Sequence, residues 1–163
     1  MTPRAVIDTN VLVPVGTRRA VQEAAEAGLI VALWSPWIVA ELNRVLTWNW
    51  IDRSHGDTSA TNWRACSAAA ATMMNFLLAS FETVDPRPPY PDAWPGLADP
   101  GDHRVWAAAV HSEGSFVVSD NTRDFPPSDA DGRFRWAGIE YLTAAEFLRR
   151  LAEGEFHEVG ADR

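Results

Sequence analysis

Short apolar segments alternate with longer segments of helical composition, and this alternation constrains the fold of the chain more than any other feature. Residues 5–7, 29–34 and 115–119 have the length and apolar content of buried strands. Helical patterns occupy 18–27 and a stretch from Ser35 to about residue 48. Strands that are separated by helices pair in parallel through crossovers. We therefore predict an α/β fold, a three-layer α/β/α sandwich with a central parallel sheet and helices on both faces.

The rest of the chain continues this pattern, with one interruption. The longest helical pattern is at 63–78, and a third strand is predicted at 81–84. Six prolines exclude regular structure from 85–100, and a loop of this length inside a compact domain is usually functional or mobile. A helix then runs through His111, and the strand at 139–142 leads into a last helix.

Size and composition indicate one soluble domain. A chain of 163 residues with 47% apolar residues can bury one core, so we expect a single domain over residues 1–163. The single cysteine, Cys66, cannot form an internal disulfide, which is typical of a reducing compartment. No apolar run approaches the ~20 residues that cross a bilayer. The prediction is a cytoplasmic protein that does not contact a membrane.

The charge balance argues against a simple nucleic-acid-binding module. Fourteen basic residues, all of them arginine, face 22 acidic residues, so the formal net charge is −8. Diffuse attraction to nucleic acid requires the opposite sign.

Four acidic side chains are expected to meet at one edge of the sheet. Asp8 and Asp120 follow two of the predicted strands, and Glu41 lies near the start of the helix after the second strand. Ligands collect beyond the carboxyl ends of parallel strands. Asp102 lies in the first turn of the helix that precedes the Asp120 strand, so we expect it at this edge only if the proline-rich loop carries the helix across.

Such a cluster calls for a cation. Two carboxylates about 4 Å apart repel by roughly 4 kcal/mol at an effective dielectric constant of about 20. An all-oxygen site suits Mg²⁺ or Mn²⁺, whereas Zn²⁺ prefers cysteine and histidine ligands.

Each acid also has an ordinary structural interpretation. Asp102 is favoured by the helix dipole in a first turn, and Asp120 can belong to a simple turn. Asp124 can be a solvated loop residue, and Glu41 an exposed helix residue. Asp8 is harder to explain in this way, because an acid between Ile7 and Val11 is partly buried and needs a partner.

The eight tryptophans are interpreted by their positions. Most of those on strands and helices are assigned to the core or to a self-association surface: Trp34, Trp37, Trp48, Trp50 and Trp106. Trp94, in the proline-rich loop, is the better candidate for an exposed contact.

Four motifs, in order, resemble those of a known family. They are VIDTNV at 6–11, SPWIVAEL at 35–42, DPGDHRVWAAA at 99–109 and VVSDNTRDF at 117–125. Together with the ending from Gly138 to Leu148, they resemble the PIN domain, especially the VapC-like toxin nucleases. The resemblance covers nearly the whole chain.

The resemblance implies a metal-dependent ribonuclease whose acids bind Mg²⁺ or Mn²⁺. Matched by position, the family acids are Asp8, Glu41, Asp102 and Asp120, with Asp124 as a rival or supplementary fourth acid. The residues that orient the acids or a bound water are then Asn10 and Ser119.

The same resemblance implies partners. We expect an RNA substrate, a cognate antitoxin protein and a homodimer. The arginines that could contact the substrate are Arg18, Arg19, Arg44 and Arg123.

Two other functions stay open from the sequence. Phosphatase-type phosphoryl transfer could use Asp8 as nucleophile, although residue 10 is Asn and the chain lacks lysine to neutralise an acyl phosphate. A catalytically silent domain that binds a partner through the early helices is the second alternative.

Overall fold

The computed structural model describes residues 2–157, which fold around a six-stranded sheet. The strands are β1 (Arg4–Ile7), β2 (Val31–Trp34), β3 (Phe81–Thr83), β4 (Phe116–Val118), β5 (Arg135–Trp136) and β6 (Ile139–Leu142). Their order across the sheet is β3-β2-β1-β4-β6-β5, and all neighbouring strands are parallel except β5 and β6. The predicted α/β architecture is confirmed, with one antiparallel strand added.

The unpredicted strand β5 exists because of a tight hairpin. Arg135 pairs with Glu140 and Trp136 with Ile139, which leaves only two residues in the turn. Both turn residues, Ala137 and Gly138, have positive φ, at 48° and 85°. This is the backbone that a two-residue hairpin requires, and a strand of two residues gives no periodic signal in the sequence.

Within the described residues six helices cover the sheet, and the first four of them differ from the prediction. The helices are α1 (Thr9–Leu12), α2 (Val15–Glu26), α3 (Pro36–Arg53), α4 (Ala60–Leu78), α5 (Pro100–His111) and α6 (Ala144–Ala152). The single turn α1 was not predicted; it begins because the Asp8 side chain accepts a hydrogen bond from the Thr9 amide. Helix α2 begins earlier than predicted, at Val15, and ends at Glu26, helix α3 extends to Arg53, and Ser59 caps an earlier start of α4.

The crossovers bring the site residues to one edge of the sheet. We call this the carboxyl edge; it is where β1, β2, β3 and β4 end. Helix α5 follows β3 in the chain, so it begins at the carboxyl edge and runs back before β4 starts. The expectation that the proline-rich loop must carry α5 across the sheet was therefore wrong. The loop from 84 to 99 only has to stay at the edge where β3 ends.

The core fills both faces of the central strands. β1 and β4 lie in the middle of the sheet, and Val6, Ile7 and Val118 have no exposed surface. The largest fully buried side chains above and below are Trp34, Trp106 and Phe147. A parallel sheet that is covered on both faces requires such continuous apolar strands.

The proline-rich loop is anchored by Trp94, which is 3% exposed and therefore not the exposed contact that was expected. Its ring packs edge-on against Trp106 and Tyr141, with centroids 5.5 and 5.2 Å apart. The Trp106 indole also donates a hydrogen bond of 3.1 Å to the Asp92 carbonyl. The aromatic ring is buried because the loop folds back over α5 and β6, which local sequence does not reveal.

None of the helices within residues 2–157 is long and apolar enough to cross a lipid bilayer.

We predict that Trp94→Ala strongly destabilises the protein. Removing a buried tryptophan costs about 3–5 kcal/mol, which corresponds to a fall in Tm of about 10 °C for a domain of this size. Trp48→Ala is the matched control, because Trp48 is 41% exposed and contacts Trp63 edge-on. Its Tm should fall by about 3 °C or less in the same thermal unfolding experiment. Equal losses in the two variants would contradict the anchoring role of Trp94.

Candidate functional site

The Asp8 side chain at the carboxyl edge accepts three hydrogen bonds. It follows β1 directly, and its Oδ1 accepts the Thr9 amide at 2.7 Å. Its Oδ2 accepts hydrogen bonds from Asn10 Nδ2 at 2.9 Å and from Ser119 Oγ at 2.8 Å. Ser119 comes from the end of the neighbouring strand β4, so the two central strands jointly fix the carboxylate.

The environment of Asp8 opposes its negative charge overall. Only 7% of the residue is exposed, and this burial raises the pKa of Asp8, as does the nearby charge of Glu41. The hydrogen bonds from Ser119, Thr9 and Asn10 lower the same pKa but do not outweigh burial. A positive charge at this position would therefore stabilise the ionised carboxylate.

Asp102 and Asp124 form the second part of the site. Asp102 lies in the first turn of α5, and Asp124 in a 3-10 turn at Thr122–Asp124 that follows β4. Asp102 Oδ2 is buried and has no hydrogen-bond partner among the described residues. Burial, then the adjacent Asp124 carboxyl and the charge of Asp8, raise the pKa of Asp102 to about 7. Two acceptor-only carboxylates in contact require either a shared proton or a cation.

Two adjoining cavities expose these acids. The larger one, which we call the acid cavity, has a volume of about 410 Å³ and is lined by Asp8, Glu41, Asp99 and Asp102 among others. The smaller one measures about 10 Å³, roughly the space of one water molecule, and Asp124 lines it together with Asp8 and Asp102. The site therefore combines an open approach with a confined position between the three carboxylates.

Glu41 is attached to this cluster through Thr9. Helix α3 places Glu41 about 1.7 turns after its Ser35 cap, and Thr9 Oγ1 donates a hydrogen bond of 2.8 Å to Glu41 Oε2. Arg44 Nη2 lies 4.0 Å from Glu41 Oε1 on the surface of the same helix. The Glu41 side chain is 34% exposed and lines the acid cavity, so it stays in contact with solvent.

Asp120 is directed away from the other acids. Asp120 Oδ1 accepts the Ala144 amide at 2.9 Å, at the start of α6, and Asp120 lines neither cavity. The free amides at a helix N-terminus attract a carboxylate, which explains this orientation. The structure thus gathers Asp8, Glu41, Asp102 and Asp124, and leaves the Asp120 carboxylate outside that group.

The supporting residues named from sequence occupy distinct positions. Asn10 and Ser119 both contact Asp8 Oδ2, and they also contact each other at 3.1 Å. Asn10 Oδ1 accepts the Asp120 amide at 2.9 Å. These bonds tie the ends of β1 and β4 together around the Asp8 carboxylate.

The candidate substrate arginines differ sharply in accessibility. Arg18 is buried, and its Nη1 donates to the carbonyls of Leu12 and Val13 at 2.9 and 3.1 Å, so it closes the end of α1 and does not reach the acid cavity. Arg44 and Arg123 are exposed beside Glu41 and Asp124 respectively. Arg19 pairs with Glu23 along α2.

Three site residues were not identified from the sequence. Thr9 holds Glu41, Asn121 Nδ2 donates to Asp124 Oδ2, and Tyr141 lines the small cavity. Burial and the charges of Asp102 and Asp8 raise the pKa of Tyr141, so its hydroxyl stays protonated near the acids. Tyr141 pairs in register with Val117 on β4, a proximity that depends on the strand order.

The side chains gathered at this edge are oxygen donors. Within residues 2–157, no three acidic, histidine or cysteine side chains are already arranged around a common metal position. The chemistry of the available donors nevertheless fits a hard cation, because every candidate ligand is a carboxylate oxygen and Asp102 Oδ2 is unpartnered. The same set does not suit Zn²⁺.

Comparison with known proteins agrees with this architecture. The fold is similar to the crystal structure of VapBC2 from Rickettsia felis bound to a DNA fragment from its promoter, with a TM-score of 0.53 and 12% sequence identity. The match covers 86% of this chain and 98% of that one, and at this identity it concerns the fold alone. No curated protein sequence matches the chain. The sequence profile of the PIN domain matches residues 4–123, so the chain belongs to the PIN domain family.

Proposed function

We propose that this protein is a Mg²⁺- or Mn²⁺-dependent endoribonuclease that hydrolyses RNA phosphodiester bonds. PIN domains are generally nucleases. The observation that carries the proposal is Asp102 Oδ2, which has no hydrogen-bond partner within residues 2–157 and lies beside Asp124 in a cavity that Asp8 also lines. Because these carboxylates destabilise the folded protein when no cation is bound, their arrangement indicates a site that binds a cation.

In this proposal the metal ligands are Asp8, Asp102 and Asp124. A bound Mg²⁺ or Mn²⁺ would supply Lewis acidity toward the phosphodiester and would offset the charge of the carboxylates. Asp8 is fixed by its three hydrogen-bond donors before any ligand binds, which limits the reorganisation needed. Asp102 and Asp124 sit on α5 and on the turn after β4, so they complete the site from two other elements.

Glu41 is assigned the handling of the attacking water. The hydrogen bond from Thr9 leaves Glu41 Oε1 facing the weakly bound Arg44, and the side chain lines the acid cavity. Glu41 would orient a water molecule for in-line attack on phosphorus and accept its proton. The bond from phosphorus to the leaving oxygen breaks, and that oxygen is protonated from solvent. No side-chain nucleophile is required.

Substrate contact is assigned to local arginines. With a net charge of −8, the protein as a whole repels RNA. Arg44 and Arg123 are exposed next to two of the site acids and can contact the backbone phosphates on either side. Arg18 is left out of this role because its guanidinium bonds the end of α1.

We further propose that the protein is the toxin of a type II toxin-antitoxin pair. Its fold is similar to that of a complex described as VapBC2 bound to promoter DNA. In support of a protein partner, Val15 and Phe76 are 62% and 67% exposed and line a groove of about 370 Å³ between α2 and α4. A homodimer and a cytoplasmic location are parts of the same proposal.

The structure does not favour phosphoryl transfer through Asp8. Both oxygens of this carboxylate accept hydrogen bonds, and only 7% of the residue is exposed. An aspartate nucleophile must bring one oxygen into contact with phosphorus, and the chain has no lysine to neutralise the acyl phosphate that would form. In the nuclease interpretation the same carboxylate is a metal ligand and forms no covalent bond with phosphorus.

We predict that Asp102→Asn and Asp124→Asn each reduce Mn²⁺-dependent RNA cleavage at least about 100-fold, because each removes a charged metal ligand. Asp120→Asn is the matched control and should keep most of the activity, since its carboxylate lies at the start of α6. Single-turnover cleavage of a labelled RNA, with an EDTA control, makes the measurement. Loss of activity in Asp120→Asn with retention in Asp124→Asn would contradict the proposed ligand set.

We also predict that Asp102→Asn stabilises the metal-free protein above neutral pH. The folded-state pKa of about 7 exceeds the usual value of about 4 for an aspartate. Ionisation of Asp102 therefore opposes folding increasingly from about pH 4 to pH 7, and fully above that range. After allowance for solvent screening, we expect a gain of about 1 kcal/mol at pH 8, or 2–4 °C in Tm.

The same variant should gain nothing at pH 4, and Mn²⁺ should raise the Tm of the wild type more than that of the variant. Thermal scans at the two pH values, with and without Mn²⁺, make the test. A marked loss of stability at pH 8 would show instead that the Asp102 carboxylate has a structural role.

A further inference from the structure

A separate pocket adjoins the acid cavity near the start of α3. It has a volume of about 250 Å³, and Trp37, Tyr90, Arg104 and Asp85 are among the residues that line it. Trp37 and Arg104 come from α3 and α5, and the other two come from the segment after β3. We call it the aromatic pocket.

The aromatic pocket contains an arginine placed on an aromatic ring. The Arg104 guanidinium carbon lies 3.9 Å from the centroid of a Trp37 ring, within the range of a cation–π contact. Among the described residues, Arg104 makes no ion pair with any acid. Trp37 keeps 37% of its surface exposed, although it is a large apolar side chain. Its ring is therefore available to a ligand as well as to Arg104.

The aromatic pocket and the acid cavity share a wall. Gly101 lines the acid cavity, and a Cβ atom at this position would lie 3.8 Å from Trp37 Nε1. Trp37 and Glu41 are four residues apart on α3, which is about 6 Å along the helix. A ligand with one group in the acid cavity can therefore place a neighbouring group in the aromatic pocket.

We propose that the aromatic pocket binds an unstacked nucleobase of a single-stranded RNA, adjacent to the phosphodiester in the acid cavity. This inference rests on the proposed ribonuclease function and adds to it a base-binding site on α3 and α5. Aromatic rings and arginine planes are the surfaces on which unpaired bases stack. The pocket is smaller than the ~300–1,000 Å³ of drug-sized sites, which suits one flat heterocycle.

The charges in the aromatic pocket favour a base over a second phosphate. Asp85 contributes a carboxylate, which repels phosphate but can accept a hydrogen bond from an N–H group on the edge of a base. Arg87 pairs with the Asp85 carboxylate at 3.2 Å. Arg104 is a different cation, and it lies on the Trp37 ring. A paired base cannot enter, because its edge and both faces are occupied within the duplex.

The test compares base-bearing and abasic RNA. Full-length protein carrying Asp102→Asn, which is expected to bind without cleaving, is titrated into a labelled single-stranded RNA and into the same oligomer with abasic nucleotides. Adding Trp37→Ala should weaken binding of the base-bearing RNA about 5- to 100-fold and leave binding of the abasic RNA unchanged. Trp48→Ala is the matched control on the same helix and should change neither. If Trp37→Ala lowers the Tm, Tyr90→Ala provides a second variant. It is expected to weaken binding of the base-bearing RNA in the same way.

The outcomes separate this inference from the proposed function. If wild-type protein with Mn²⁺ cleaves RNA but Trp37→Ala and Tyr90→Ala weaken both oligomers equally, or weaken neither, the base-binding pocket is overturned and the ribonuclease stands. If the wild type cleaves no RNA, the proposed function itself fails. In the active protein, Trp37→Ala should raise KM for single-stranded RNA with little change in kcat, because stacking is shared by the ground and transition states.

Discussion

The close approach of the Asp102 and Asp124 carboxyl groups beside Asp8 is the interaction on which this account depends. Neither Asp102 nor Asp124 can donate a hydrogen bond when ionised, and one oxygen of Asp102 is buried with no partner in the described part of the chain. Burial and neighbouring charge raise the pKa of Asp102 to about 7. A fold that holds these groups together without neutralising them sacrifices stability, and such a sacrifice is typical of a functional site.

The rest of the fold positions these acids. β1 and β4 lie side by side at the centre of the sheet, so Asp8 and Ser119 meet where the two strands end. The segment after β3 stays at the same edge, and α5 starts there, which brings Asp102 close to Asp8. Trp94 anchors the long connection against Trp106 and Tyr141. Apolar packing thus fixes the backbone around a cluster of carboxylates that repel one another.

Much of this was predictable from the sequence, because strand ends and helix starts are local features. The alternation of strands and helices predicted the layers, and the positions of Asp8, Glu41 and Asp120 at element boundaries placed them at one edge. Asp102 was expected there only if the proline-rich loop carried its helix across the sheet. The choice between Asp120 and Asp124 was not predictable. It depends on which carboxylate the amides of α6 attract, and Asp120 accepts the Ala144 amide. The burial of Trp94 and the proximity of Tyr141 likewise depend on tertiary packing, for which the sequence carries no periodic signal.

Diffraction from crystals soaked in Mn²⁺, measured at a wavelength where manganese scatters anomalously, tests the central claim most directly. The account predicts an anomalous peak bounded by carboxylate oxygens of Asp8, Asp102 and Asp124, with Asp120 still directed at the start of α6. Manganese bound only elsewhere, or an Asp102–Asp124 pair unchanged at saturating Mn²⁺, would contradict it.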